Sequence, residues 1–200
     1  MGERLNVEIV KGEKVLANAY YHWSGFTRTA METTNTILKA YSRIKTNVAR
    51  SKSSNKDLLF AIRLLETTGA GIDFKNKEND FVCEIGKEFK CMQDRNEGII
   101  GVTKEDIAET RRYEDERVTI DIESEEVNFE AFMNYDEEEI QELLEDYDKD
   151  KRKIGKINVD NYQLTFEQCF ELEKTLNELA KNDTYCVYNS ATNEYLWFVE

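Results

Sequence analysis

The apolar residues of this chain change their spacing several times along its length, and that change limits the possible fold more than any other feature. Leu5, Val7 and Ile9 alternate with polar residues, the two-residue period of a strand with one buried face. From Ala30 the period becomes helical, through Ile37, Leu38, Tyr41 and Ile44, and it stays helical over Leu58, Leu59, Ile62 and Leu65. Alternation returns at Val118, Ile120 and Ile122, and again at Val127, Phe129 and Ala131. A further helical run carries Phe166, Phe170, Leu172, Leu176 and Leu179, and the chain closes on two aromatic strands about a polar turn. Strands enclosing helices predict an α+β fold with a mixed or antiparallel sheet and three to four helices. Nothing repeats internally and no Gly/Ser linker interrupts the 200 residues, so a single domain spanning 1–200 is expected.

Local signals place the element ends. Gly12 sits in a short turn that makes the first two strands a hairpin. Ser54 with Asp57 resembles a capping box, and Gly69 and Gly71 stop the helix that follows. Thr103 to Asp106 opens a short helix, and Thr165 with Gln168 forms a second box. Asp136 caps an acidic helix with Glu139 at its third position, and Phe81 to Ile85 reads as a short strand. Several threonines weaken the first helix, because β-branched side chains lose rotamer freedom there.

Charge is unevenly spread. Residues 1–104 hold 17 basic and 13 acidic side chains, residues 105–150 hold 4 and 20, and residues 151–200 hold 6 and 8. Nearly all of the net charge of −14 therefore lies in one segment, read here as an acidic hairpin–helix insertion at about 105–150. Conversely, Lys39, Arg43, Lys45, Arg50, Lys52 and Lys56 form a basic run with no acid, and its part KTNVARSKSSNK, residues 45–56, reads as a solvated inter-helix loop. The molecule is expected to be electrically bipolar unless the fold interleaves the two segments.

Several function classes lack their parts. No apolar run approaches the ~18 residues of a membrane-spanning helix. The N-terminus has no apolar signal region, and Asn6 stands where a myristoylation signal needs Ser or Thr. A cytoplasmic protein is expected, in the host cytoplasm if the chain is phage-encoded. Cys83, Cys91, Cys169 and Cys186 follow no zinc or redox spacing, and reduced thiols are expected. The stretch DYDKDKRKIGKI, residues 146–157, has Lys151 where a calcium loop needs Gly and Ile157 where it needs Glu. P-loop, dinucleotide and zinc-protease motifs and the Gly-x-Ser-x-Gly elbow are absent, so no catalytic residue, cofactor or metal is assigned. The chain also contains no proline, which excludes rigid Pro-rich linkers.

One stretch does carry recognition chemistry. In NAYYHWSGFTRTAMETT, residues 18–34, the only histidine lies among aromatic residues where a strand gives way to a helix. Backbone N–H groups at a helix N-terminus favour an anion, and Gly25 lets a ligand approach the backbone. His22 and Arg28 would add directed hydrogen bonds, and Tyr21 or Trp23 a stacking surface. The candidate ligand site is therefore Tyr21, His22, Trp23, Ser24, Gly25, Thr27 and Arg28. The bland alternative makes alternate strand residues core, Ser24 or Thr27 an N-cap, and His22 a locally bonded side chain.

Tyr21-His22-Trp23-Ser24-Gly25-Phe26 resembles the Tyr-x-His-Trp-x-Gly-Tyr signature of small uncharacterised proteins from bacteria and their phages, with Phe26 in place of the last Tyr. The closing YCVYNSATNEYLWFV is similar to the aromatic hairpin of those proteins. The resemblance covers about the first 45 and last 17 residues and implies a compact cytoplasmic phage-type accessory protein without an established chemistry. The leading expectation is a non-enzymatic counter-defence protein that sequesters a nucleotide-like anion at the strand–helix joint. The first alternative is an acidic, anti-CRISPR-like inhibitor whose Asp136, Glu137, Glu138, Glu142, Glu145 and Asp146 copy nucleic-acid phosphates and block a basic host effector. A hydrolase using carboxylates and His22 is the other alternative, and direct nucleic-acid binding by the basic run ranks third among binding modes.

Overall fold

The computed structural model describes residues 4–22, 24, 27–72, 98–111, 116–131, 133–134, 138, 141–142, 145, 153–157, 163–179, 184–189 and 194–199. Among the described residues, ten strands and four helices have defined bounds, in the order β1 (Arg4–Lys11), β2 (Lys14–His22), α1 (Thr27–Ala49), α2 (Lys56–Glu66), β3 (Ile99–Gly101), α3 (Lys104–Arg111), β4 (Glu116–Asp121), β5 (Glu126–Glu130), β6 (Met133–Asn134), β7 (Lys153–Ile157), β8 (Gln163–Thr165), α4 (Phe166–Leu179), β9 (Thr184–Asn189) and β10 (Glu194–Val199). The class is α+β, as the spacing predicts. The main sheet is mixed, with strand order β3-β2-β1-β4-β5-β8, and β6-β9-β10-β7 form a second sheet. The strand expected at Phe81–Ile85 lies outside the described residues.

Alternation builds the main sheet's apolar face. Leu5 pairs with Tyr21, Val7 with Ala19 and Ile9 with Ala17 across the first hairpin. β4 joins β1 in parallel, setting Val7 beside Val118 and Ile9 beside Ile120. β5 then adds Phe129 and Val127 opposite those valine and isoleucine positions. All of these side chains are buried, so one continuous apolar surface crosses four strands. The β4–β5 hairpin of the acidic segment thus lies inside the main sheet, between β1 and β8.

Helices α1, α2 and α4 cover that face. α1 runs beyond the last apolar position expected for it, because Val48 extends the stripe of Tyr41 and Ile44 by one more turn. The basic run is therefore helical as far as Ala49, and only its last part is a loop. The α1 threonines are accommodated by back-bonding: Thr34, Thr36 and Thr46 hydroxyls donate to the carbonyls of Ala30, Glu32 and Ser42. The α2 cap is Asn55 rather than Ser54, its Oδ1 accepting from the Leu58 amide, while Ser53 Oγ accepts from the Asn55 amide. Asn is as good an N-cap as Ser and stands one residue nearer the helix, so it takes the role. Both later boxes form: Thr103 with Asp106, and Thr165 with Gln168, exchange reciprocal bonds.

Tyr41 joins the helices to the sheet. Its ring meets Phe60 and Phe166 edge-on at 5.1 and 5.0 Å, and its hydroxyl donates to the Ile122 carbonyl. The basic run and the acidic segment meet here through one ion pair, Lys45 with Glu125, and other charges are paired nearby. Lys45 pairs with Glu125 in the β4–β5 turn, Lys39 with Glu173 of α4, and Arg111 with Glu8.

Candidate functional site: the polar face beside His22

Consecutive strand residues point to opposite faces, and this separates the aromatic motif into two groups. Tyr21 is in phase with Ala17 and Ala19 and is buried. Its ring lies against Gly98, where an added Cβ would come within 2.8 Å of it. Thr68 Oγ1 gives its hydrogen to the Leu65 carbonyl, so the Tyr21 hydroxyl donates to Thr68 Oγ1 at 2.6 Å. Tyr21 is thus part of the core and offers no ring for a base to stack on. Tyr20 and His22 lie on the other face of the sheet, and His22 is exposed at the end of β2. The Tyr20 hydroxyl and His22 Nδ1 are 3.1 Å apart. With the phenol donating, the ring hydrogen sits on Nε2 and the imidazole presents a donor.

That second face is polar from Arg4 to Glu8 on β1 and from Asn18 to His22 on β2. Arg4 stands opposite His22, Asn6 opposite Tyr20 and Glu8 opposite Asn18. On the other side of β1, Arg117 is beside Asn6 and Thr119 beside Glu8. Polar positions of an alternating strand normally face water, yet Asn6, Glu8 and Asn18 are at most 3% exposed. Helix α3 covers the Glu8–Asn18 row. Arg111 grips Glu8 with two nitrogens, Nε to Oε1 and Nη2 to Oε2, the latter at 2.7 Å. Asn18 Nδ2 donates both to Thr110 Oγ1 at 2.6 Å and to Asn6 Oδ1 at 3.0 Å. Gly101 makes room for this amide, since a Cβ there would meet Asn18 Oδ1 at 2.6 Å. Asn6 Nδ2 and Asn18 Oδ1 are buried without a hydrogen-bond partner.

Part of the strand–helix joint expected to cradle an anion lies among the described residues. Thr27 opens α1, and Ser24 is half-buried. Arg28 reaches along its own helix to Glu32 at 3.2 Å and across to Asn177 of α4 at 3.3 Å. Trp23, Gly25 and Phe26 lie outside the described residues. Of the acidic set, Glu138, Glu142 and Glu145 are helical and exposed, whereas Asp136, Glu137 and Asp146 lie outside the described residues. Burial pushes the Cys169 thiol up to about 12, which makes it inert as a nucleophile at neutral pH. Among the described residues no three His, Cys, Asp or Glu side chains are grouped to hold a metal, and no helix is long and apolar enough to cross a membrane.

Sequence reasoning singled out His22 but missed Arg4, Asn6, Tyr20 and Arg117, which share its face. A signal was present: asparagine is disfavoured in strands, and Asn6 and Asn18 sit mid-strand in two adjacent ones. No family model matches the chain, and no curated protein or solved structure does either.

Proposed function

We propose that this protein is a non-catalytic, phage-type counter-defence or accessory protein that captures and sequesters a small nucleotide-like anion at the His22 end of the main sheet. One observation carries the reading: His22 is exposed where β2 ends, held by the Tyr20 hydroxyl and directly opposite Arg4. An imidazole and a guanidinium facing each other supply donors for an oxyanion, and Tyr20 brings an aromatic ring beside them. The non-catalytic part is supported by the inert Cys169 thiol. The lineage part rests on the Tyr21–Phe26 motif, and with it the host cytoplasm as the place of action. The test is mass spectrometry of small molecules released by heat from the protein purified out of a bacterial lysate. An anionic nucleotide-like compound at near-stoichiometric yield, lost in His22→Ala, is expected. Equal release from both proteins would contradict the reading.

A second reading is favoured by the exposed helical carboxylates Glu138, Glu142 and Glu145. Their spacing of four and three residues puts them on one helix face, a row suited to a basic partner. Exchanging these three for Gln would weaken capture of such a partner, and the unaltered protein's binding would fall steeply with salt.

A further inference from the structure

We infer that the charged group of the bound molecule, a phosphate or carboxylate, sits not at the start of α1 but on the polar face of the main sheet, between Arg4, Asn6, Arg117 and His22. This rests on the proposed function and specifies the place and chemistry of its site.

The sheet register supplies the first part. Arg4 faces His22 across β1–β2, and Asn6 is flanked by Tyr20 on one side and Arg117 on the other. Alternation puts all five on one face, the face opposite the apolar core. Neighbouring strands are about 4.8 Å apart and like-facing residues along a strand about 6.8 Å, so the five Cα positions span roughly 10 by 7 Å, a width that the long arginine side chains are able to bridge towards one oxyanion.

Donor chemistry supplies the second part. Asn6 Oδ1 is already occupied by Asn18 Nδ2, which leaves Asn6 with only its Nδ2 hydrogens to offer. That nitrogen is buried and has no partner. A buried donor left unpaired costs on the order of 1–3 kcal/mol, a cost that an anion's oxygen would remove once the side chains over Asn6, 0% exposed here, part to admit it. Guanidinium groups have donors alone, and His22 presents Nε2–H when Tyr20 donates to Nδ1. The site therefore offers donors and positive charge, which suits an anion and rejects a cation. Arg4, His22 and Arg117 keep protein neighbours of their own, and an anion would share them.

Among the described residues, the neighbouring carboxylates do not reverse the sign. Glu8, one row along, has its charge met by the two-nitrogen grip of Arg111. Glu130, across from Arg117 on β5, is exposed and screened by water. At the helix start, by contrast, Glu32 already holds the Arg28 guanidinium.

The experiment is an amide and side-chain-amide NMR titration of the full chain with adenosine 5′-monophosphate, pyrophosphate and ADP-ribose, using adenosine as the uncharged control. Saturable shifts of the Asn6 side-chain amide and of β1–β2 amides are expected with the charged probes and not with adenosine. Arg117→Gln should weaken that response about tenfold or more, the scale of one charge-assisted hydrogen bond, while Arg28→Gln leaves it within about twofold. Shifts confined to Ser24–Arg28, and lost in Arg28→Gln instead, would overturn this placement and leave the binding function standing. Absence of saturable shifts with every charged probe would overturn both. Should Arg117→Gln fail to fold, Asn6→Ala read against its own unliganded spectrum serves the same purpose.

Discussion

Removing the Arg111 guanidinium should expose how strongly the polar face depends on helix α3. In Arg111→Ala the Glu8 carboxylate, whose side chain is 4% exposed, loses both of its partner nitrogens. Breaking a buried pair by deleting one partner costs roughly 3–5 kcal/mol, because the remaining charge stays desolvated. Arg111 itself is 37% exposed, so water screens part of the attraction and the lower end, about 3 kcal/mol, is expected. For a chain of this size that corresponds to a fall in Tm of roughly 6–12 °C. Glu8→Gln should cost less, about 1–2 kcal/mol, since a half-exposed arginine regains water more readily than a buried carboxylate. Urea unfolding followed by circular dichroism measures all three variants, and the double variant Glu8→Gln/Arg111→Ala closes the cycle. It should be more stable than Arg111→Ala alone, because the stranded charge is gone. If Arg111→Ala lies within about 0.5 kcal/mol of the unaltered protein, the ordinary range for a surface change, the reasoning is wrong.

Three further outcomes follow from single sites. Tyr21→Ala should cost about 3–5 kcal/mol by emptying a core position, whereas His22→Ala should stay within about 0.5 kcal/mol; thermal melts of the pair check this. The Cys169 thiol is protonated in the fold up to about 12, while the unfolded chain ionises near its ordinary value of 9.0, so stability should fall as pH rises above 9. The slope is about 1.4 kcal/mol per pH unit and should flatten in Cys169→Ala; urea unfolding at pH 8, 9.5 and 10.5 tests it. Glu125 sits at φ 57°, left-handed backbone that favours glycine, and it also pairs with Lys45. Glu125→Gly exchanges backbone strain for an exposed ion pair and should shift stability by less than about 1 kcal/mol, with high salt moving it toward the stabilising side.

The sequence showed the elements more clearly than their sides. Spacing located the first hairpin, the β4–β5 hairpin and α4, because a two- or 3.6-residue period is a local property. The partner of each strand is not local: nothing in Val118 or Ile120 says that β4 will pair in parallel with β1. That pairing carries the acidic hairpin into the main sheet and sets Arg117 beside Asn6. Residues 45–49 read as loop from their polar composition, yet the burial of Val48 keeps the helix going to Ala49. At the site, proximity in sequence misled where phase would have helped. Tyr21, His22 and Trp23 read as one cluster, but Tyr21 follows Ala17 and Ala19 inward. Counting by twos from Asn18 gives Tyr20 and His22, the two residues the polar face holds together. The burial of Asn18 could not be read at all, since its partner Thr110 stands 92 positions away in α3.

Isothermal titration calorimetry of the unaltered protein with a panel of linear nucleotides, cyclic nucleotides and ADP-ribose derivatives tests the central claim most directly. Saturable binding of at least one charged member is expected, weakened about tenfold by Arg4→Ala or Arg117→Gln and absent for the matching nucleoside. No heat of binding across the whole panel, at protein concentrations where micromolar affinity would register, would contradict the claim and leave the exposed Glu138, Glu142 and Glu145 face as the functional surface.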